Sequence, residues 1–150
     1  LIVYDTPRVA QFVADNIEGC ARGFGECQAI GFERDGHLIA GVVYHNWVPE
    51  NGVIELSAAS TCRNWLTRAN MAEIFGYPFY RIGCRMLVAR IAESNKTARR
   101  IWRSLGSDEY VIPSLRSPQE AEIVYTLKRE QFEQTFGEKI NGKAKGSKAA

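Results

Sequence analysis

The chain has 150 residues, a mass of 16.8 kDa and a formal net charge of +2, a length suited to one domain, since single cores serve roughly 100 to 200 residues before chains split. With 45% hydrophobic and 24% charged residues, 13 Gly and 5 Pro, the composition excludes disordered, collagen-like and low-complexity classes. The longest apolar runs, such as Leu38–Tyr44, fall far short of the ~20 residues that a helical membrane span needs. No basic n-region precedes an apolar h-region, so a cytosolic location is expected.

In chain order, Val9, Phe12, Val13 and Ile17 recur at helical spacing behind Thr6-Pro7, which predicts a short amphipathic helix over Pro7–Ile17 with Pro at its first position. Cys27–Glu33 and His37–His45 read as two strands joined by Asp35-Gly36, a strong hairpin signal. Val53–Ala59 is a third strand. Trp65, Leu66, Met71, Ile74 and Phe75 then give helical periodicity over Arg63–Phe75, closed by Gly76 and Pro78. Arg85–Ala92 is a strand whose inner residues Met86–Ala89 are all apolar, the pattern of a central strand covered on both faces. Asn95 caps a helix through Leu105, with Ala98, Ile101, Trp102 and Leu105 on one stripe and Gly106 as its stop. Tyr110–Ile112 and Glu122–Leu127 are the last two strands. The order predicts an α+β (α/β) fold, a mixed sheet flanked by helices, with residues 1–138 as a single domain and 139–150 as a basic, disordered tail.

The small net charge conceals an asymmetry. Residues 1–62 carry three Arg against eight acids, a net of −5, and residues 63–103 carry nine basic groups against two acids, a net of +7. Arg supplies eight of those nine cations, which suits bidentate contact with phosphates of a cofactor or a nucleic acid. A solvated helix face with internal ion pairs is the plainer explanation of the same residues. Cys20, Cys27, Cys62 and Cys84 form no CxxC pair, so free thiols are expected rather than disulfides or a metal site. Two histidines eight residues apart add no zinc spacing.

The segment Asn95-Lys-Thr-Ala98-Arg-Arg-Ile-Trp102-Arg-Ser-Leu-Gly106-Ser107 resembles the N-x-x-A-x-x-x-Y-x-x-x-G-F helix of the GNAT acyltransferase superfamily. It follows a strand and precedes another, as that helix does in the family. In general appearance the chain is similar to GNAT-like proteins of phages and prophages. The resemblance implies a mostly antiparallel sheet with a central splayed parallel pair. It also implies an acetyl-CoA co-substrate, an amine acceptor, and pyrophosphate held on the loop and helix start after Val53–Ala59. Such a site is an anion at a helix N-terminus. Carried over, it places cofactor contacts on Ala59, Ser60, Arg63, Thr67, Arg68, Ala69 and Asn70, with Asn95 and Arg99 in the later helix. The family's Q/R-x-x-G-x-G/A has Leu66-Thr67-Arg68-Ala69-Asn70-Met71 as its counterpart here, with Ala69 at the first small position and Arg63 and Arg68 as side-chain anion donors.

Aminolysis of a thioester needs a base for the amine and benefits from an acid for the thiolate. Glu55 resembles the carboxylate that serves as base in some members, and strand alternation puts Val53, Glu55 and Ser57 on one face. His45 is a second candidate base, directly or through water; a strand-end histidine bonded to a carbonyl is its structural alternative. His37, beside the turn, is expected to be exposed. Trp102 stands where the family has its Tyr acid, and an indole donates a hydrogen bond without delivering a proton, which leaves Tyr110 as the candidate acid. The sequence therefore favours an N-acyltransferase. Its rivals are a GNAT-like protein that binds or modifies nucleic acid, from the Arg-dense block and its interleaved aromatics, and a GNAT-fold assembly protein without catalysis. A homodimer is compatible with all three, and no metal is expected.

Overall fold

The computed structural model describes residues 1–137. The chain divides into two compact units, Leu1–Cys84 and a second from Arg85 on. The tail expected over 139–150 lies outside the described residues.

The first unit is an antiparallel sheet with a helix on each face. Strand β1 (Ile2–Val3) pairs with β2 (Cys27–Arg34), β2 with β3 (His37–Val48), and β3 with β4 (Val53–Ser60). The Asp35-Gly36 turn is as expected, with φ of 54° and 79°, the two left-handed positions of a type I′ hairpin. β1 is too short to leave a periodic signal. It adds to β2 through backbone bonds, Glu33 N–H donating to the Leu1 carbonyl at 2.8 Å.

Helix α1 (Thr6–Asp15) begins one position earlier than its proline suggests. Asp5, not Thr6, is the cap, and its carboxylate accepts from the Arg8 amide. Val9 and Val13 are fully buried against Ala29 and Val43. The helix lies this close because Gly31 and Gly41 sit opposite one another in the β2–β3 register. A Cβ on Gly41 would stand 2.7 Å from Val13 and 2.8 Å from Val9. Gly41→Ala is therefore expected to destabilise by about 1–3 kcal/mol through overpacking; a melting temperature equal to that of the parent would mean that α1 lifts away without loss.

On the other face, Tyr44 donates its hydroxyl proton to the Ile74 carbonyl at 2.5 Å and ties β3 to helix α2 (Arg68–Gly76). Two expectations change here. α2 starts five residues later than the periodicity suggests, because Asn64 takes a left-handed φ of 65° and Thr67 is the cap, accepting from the Asn70 amide at 3.1 Å. Nor does the helix stop at Gly76 and Pro78. It continues as a wider π-turn over Tyr77–Ile82 with the proline in its first turn, where no amide donor is required, and ends at Gly83 with φ 83°.

In the second unit, β5 (Met86–Ala92) pairs antiparallel with β7 (Glu120–Lys128), and β7 with β6 (Asp108–Ser117). β5 alternates more than its apolar sequence suggests: Leu87 and Ala89 are fully buried, Met86 and Val88 half-buried. Helix α3 (Lys96–Ser104) has the expected Asn95 cap, which accepts from the Ala98 amide at 3.1 Å. Its stop is the expected Gly106, at φ 85°. Trp102 is buried and stacks on Tyr125 with ring centroids 6.3 Å apart. β6 is longer than expected and irregular: the pairing breaks between Ile112 and Ser117, at Pro113 and at Ser114 with φ 60°. A short helix α4 (Arg129–Phe132) and a π-turn (Glu133–Gly137) follow β7. Neither has the length to show a period, yet they are fixed by Phe132, buried beside Phe136, and by Thr135, whose hydroxyl donates to the Leu105 carbonyl at 2.5 Å.

Glu122 on β7, 2% exposed, is the charged residue most deeply buried among the described ones. It is held by Arg90 at 2.8 Å and Arg116 at 3.0 Å. The class is the expected one, α+β with a mixed, mostly antiparallel sheet of seven strands and flanking helices.

Candidate active site on strands β3 and β4

The two candidate bases stand side by side. The β3–β4 register places His45 directly opposite Glu55, so their side chains leave the same face of the sheet. His45 Nε2 lies 2.9 Å from Ser57 Oγ and 3.7 Å from Glu55 Oε2. One strand further, Cys27 is opposite His45 in the β2–β3 register. The ring of Phe24 covers the imidazole at 4.9 Å between centroids. His45 is therefore buried, with a hydroxyl rather than the expected backbone carbonyl as its partner. His37 is exposed.

The local backbone explains the cluster. Beyond His45 the β3–β4 pairing is bulged, and Asn46 adopts a left-handed φ of 52°. Bulges re-aim side chains, and this one turns the Asn46 amide onto Glu55 Oε1 at 3.0 Å. Glu55 is thus oriented by a neutral donor on one side and an imidazole on the other. Removal from water lowers the proton affinity of His45, and the Glu55 charge opposes that shift; the net change is downward from 6.5. At neutral pH the ring is uncharged and one of its nitrogens is a base. Burial likewise pushes the Cys27 thiol up, so it stays protonated. Among the described residues no group of His, Cys, Asp and Glu is placed to hold a metal ion.

Ser57 and Asn46 are the members that sequence reasoning passes over. Alternation puts Ser57 on the face of Glu55, and the register is what brings it to His45. Asn46 announces itself only through its backbone, since asparagine tolerates φ > 0 better than most residues.

The residues expected to contact a cofactor fall in both units. Ala59 and Ser60 end β4. Arg63, Thr67, Arg68 and Ala69 are exposed in the loop and at the start of α2, while the Asn70 side-chain Nδ2 donates to the Trp65 carbonyl at 2.7 Å. Trp65 itself packs on Phe32, 5.5 Å between centroids. In the second unit, Asn95 is occupied as the α3 cap. Arg99 donates to the Glu93 carbonyl at 2.9 Å and lies 3.9 Å from Glu109. Tyr110, the candidate acid, is exposed on β6. Glu109 receives a two-pronged bond from Arg103 at 2.6 and 2.8 Å and the Tyr125 hydroxyl at 2.7 Å, and these donors hold its carboxyl down at about 2. No helix among the described residues is long and apolar enough to cross a membrane.

No family model and no curated protein sequence matches the chain. Solved structures do. A mutant of spermidine N-acetyltransferase SpeG from Vibrio cholerae superposes with a TM-score of 0.70 at 8% identity, covering 88% of this chain and 96% of that one. Spermidine/spermine N-acetyltransferase SpeG from the same organism, in complex with manganese ions, gives 0.70 at 9% identity, with 89% and 94% covered. A protein described as "Probable acetyltransferase" gives 0.60 at 16%, with 83% and 70% covered. At such identities the likeness establishes the fold: this chain has the fold of the GNAT acetyltransferases.

Proposed function

We propose that this protein is an acetyl-CoA-dependent N-acetyltransferase in which His45 is the general base and Glu55 its electrostatic partner. The observation that carries the proposal is the cross-strand His45–Glu55 pair, in which the buried, uncharged imidazole is hydrogen-bonded to Ser57 and the half-buried Glu55 carboxylate stands beside it, on a fold shared with acetyltransferases. The amine nitrogen attacks the thioester carbonyl and loses its proton, through Ser57 Oγ or a water, to His45 Nε2. The C–S bond then breaks and the thiolate is protonated by solvent.

The proposed seat for the cofactor's phosphates is the start of α2. First-turn amides of a helix lack internal partners; Thr67 takes only that of Asn70. Ala69 is the small residue at the turn, with Ser60, Arg63 and Arg68 beside it and Ala59 at the end of the preceding strand. For the acceptor, the net charge of −5 over residues 1–62 favours a cationic amine, and SpeG, named for spermidine, makes polyamines the first class to try.

The test is release of free thiol from acetyl-CoA in the presence of spermidine and a panel of primary amines, with the acetylated product identified by mass spectrometry. Turnover with none of them, together with no shift of melting temperature by acetyl-CoA or CoA, would overturn the proposal. The pH profile tests the base itself. The acidic limb of kcat/KM is expected below pH 6.5, because burial lowers the proton affinity of His45. Glu55→Gln removes the charge that opposes this shift, so its limb is expected at still lower pH; a limb that stays in place would exclude Glu55 as the partner.

A further inference from the structure

Helix α3 carries a second cluster of charged side chains, separate in sequence from the His45 cluster. Lys96, Arg99, Arg100 and Arg103 line an open cavity of about 300 Å³. They recur at the i, i+3, i+4, i+7 spacing of one helical face, away from the stripe that buries Trp102 and Leu105. The helix has no acid in its first turn. Lys96 instead puts a cation where the helix dipole disfavours one, and Lys96–Arg100 is a like-charge i, i+4 pair, which destabilises a helix. Internal ion pairing accounts for only half of this charge. Arg103 is fixed by Glu109, and Arg99 by the Glu93 carbonyl with Glu109 at 3.9 Å. Lys96 and Arg100 are exposed and have no counter-ion among the described residues.

We infer that this cavity binds phosphate groups. The two arginines already held by protein acceptors form a preset wall, and the two free cations, about one helical turn apart, supply two uncompensated charges. Two positive charges match a phosphate dianion better than a single carboxylate, and guanidinium groups suit its oxygens. The phosphates have two possible sources, a small phosphorylated compound or a nucleic-acid strand.

Titration of the isotope-labelled protein with inorganic pyrophosphate, read on the backbone amides of residues 96–103 by NMR, tests the inference without acetyl-CoA. Its failure therefore leaves the acetyl-transfer proposal standing, and the converse holds too. Saturable shifts of those amides are expected, weakened at least tenfold in Lys96→Ala/Arg100→Ala. They are expected to persist in Arg22→Ala/Arg34→Ala, which removes the same charge from exposed positions of the first unit. No shifts, or equal weakening in both double variants, would overturn the inference. Given the first result, a single-stranded oligonucleotide that displaces pyrophosphate, with affinity falling steeply in salt, assigns the phosphates to a strand; one that fails to displace it assigns them to a small ligand.

Discussion

Replacing His45 by glutamine is expected to lower kcat/KM for acetyl transfer by a factor of about 10² to 10⁴, the usual contribution of a positioned general base. Glutamine is of similar size and can still hydrogen-bond to Ser57, but it accepts no proton at neutral pH. The variant is therefore expected to melt close to the parent while losing its rate. The double variant His45→Gln/Glu55→Gln is expected to be little worse than His45→Gln alone, because the carboxylate acts on the reaction only through the imidazole. Retention of more than a tenth of parental kcat/KM in His45→Gln would remove His45 from the mechanism and leave Glu55 to take the proton directly. Steady-state kinetics with saturating acetyl-CoA separates these results.

The largest effect on stability is expected from the other buried charge cluster. Arg90 and Arg116 both bond Glu122, whose side chain is 2% exposed while theirs are 51% and 29% exposed. Loss of either arginine alone leaves the carboxylate one partner. Loss of both in Arg90→Ala/Arg116→Ala leaves a buried charge without compensation, a change that typically costs about 3–5 kcal/mol, a large share of the ~5–15 kcal/mol by which domains are stable. Adding Glu122→Gln to the double variant removes the charge and is expected to restore much of the loss. Urea unfolding of the three proteins checks this; a double variant as stable as the parent would mean that water reaches Glu122.

Both clusters show which features a sequence makes legible. The strands of the first unit follow from alternation and from Asp35-Gly36, and α3 from its Asn95 cap and Gly106 stop, because each signal lies within a few residues of its effect. β1, α4 and the π-turns carry no such signal. They are too short to have a period and depend on distant partners, β1 on Phe32 and Gly31, and the π-turn after α4 on the bond from Thr135 to the Leu105 carbonyl. The candidate site divides in the same way. Glu55 and Ser57 share a face by simple alternation, but that His45 meets both depends on the register across the 49–52 turn and on the bulge at Asn46. The charge block is legible as composition and misleading as a surface. Arg81 is paired with Glu73, Arg90 with Glu122 and Arg103 with Glu109, so pairing that charge counting does not reveal leaves Arg63, Arg68, Lys96 and Arg100 without a counter-ion among the described residues.

Strand β6 bears on how the protein behaves at high concentration. It closes its sheet at one edge and exposes Tyr110, Val111, Ile112 and Leu115, a composition that would template stacking of neighbouring chains. Cross-β assembly draws on uninterrupted segments of about six or seven residues. Pro113 offers no amide to such a stack, and Ser114 turns the next peptide out of line, so a molecule approaching this edge finds only Asp108–Ile112 in register, two of them acids. The kink that spoils the pairing of β6 with β7 thus also keeps an otherwise adhesive edge from recruiting copies of itself.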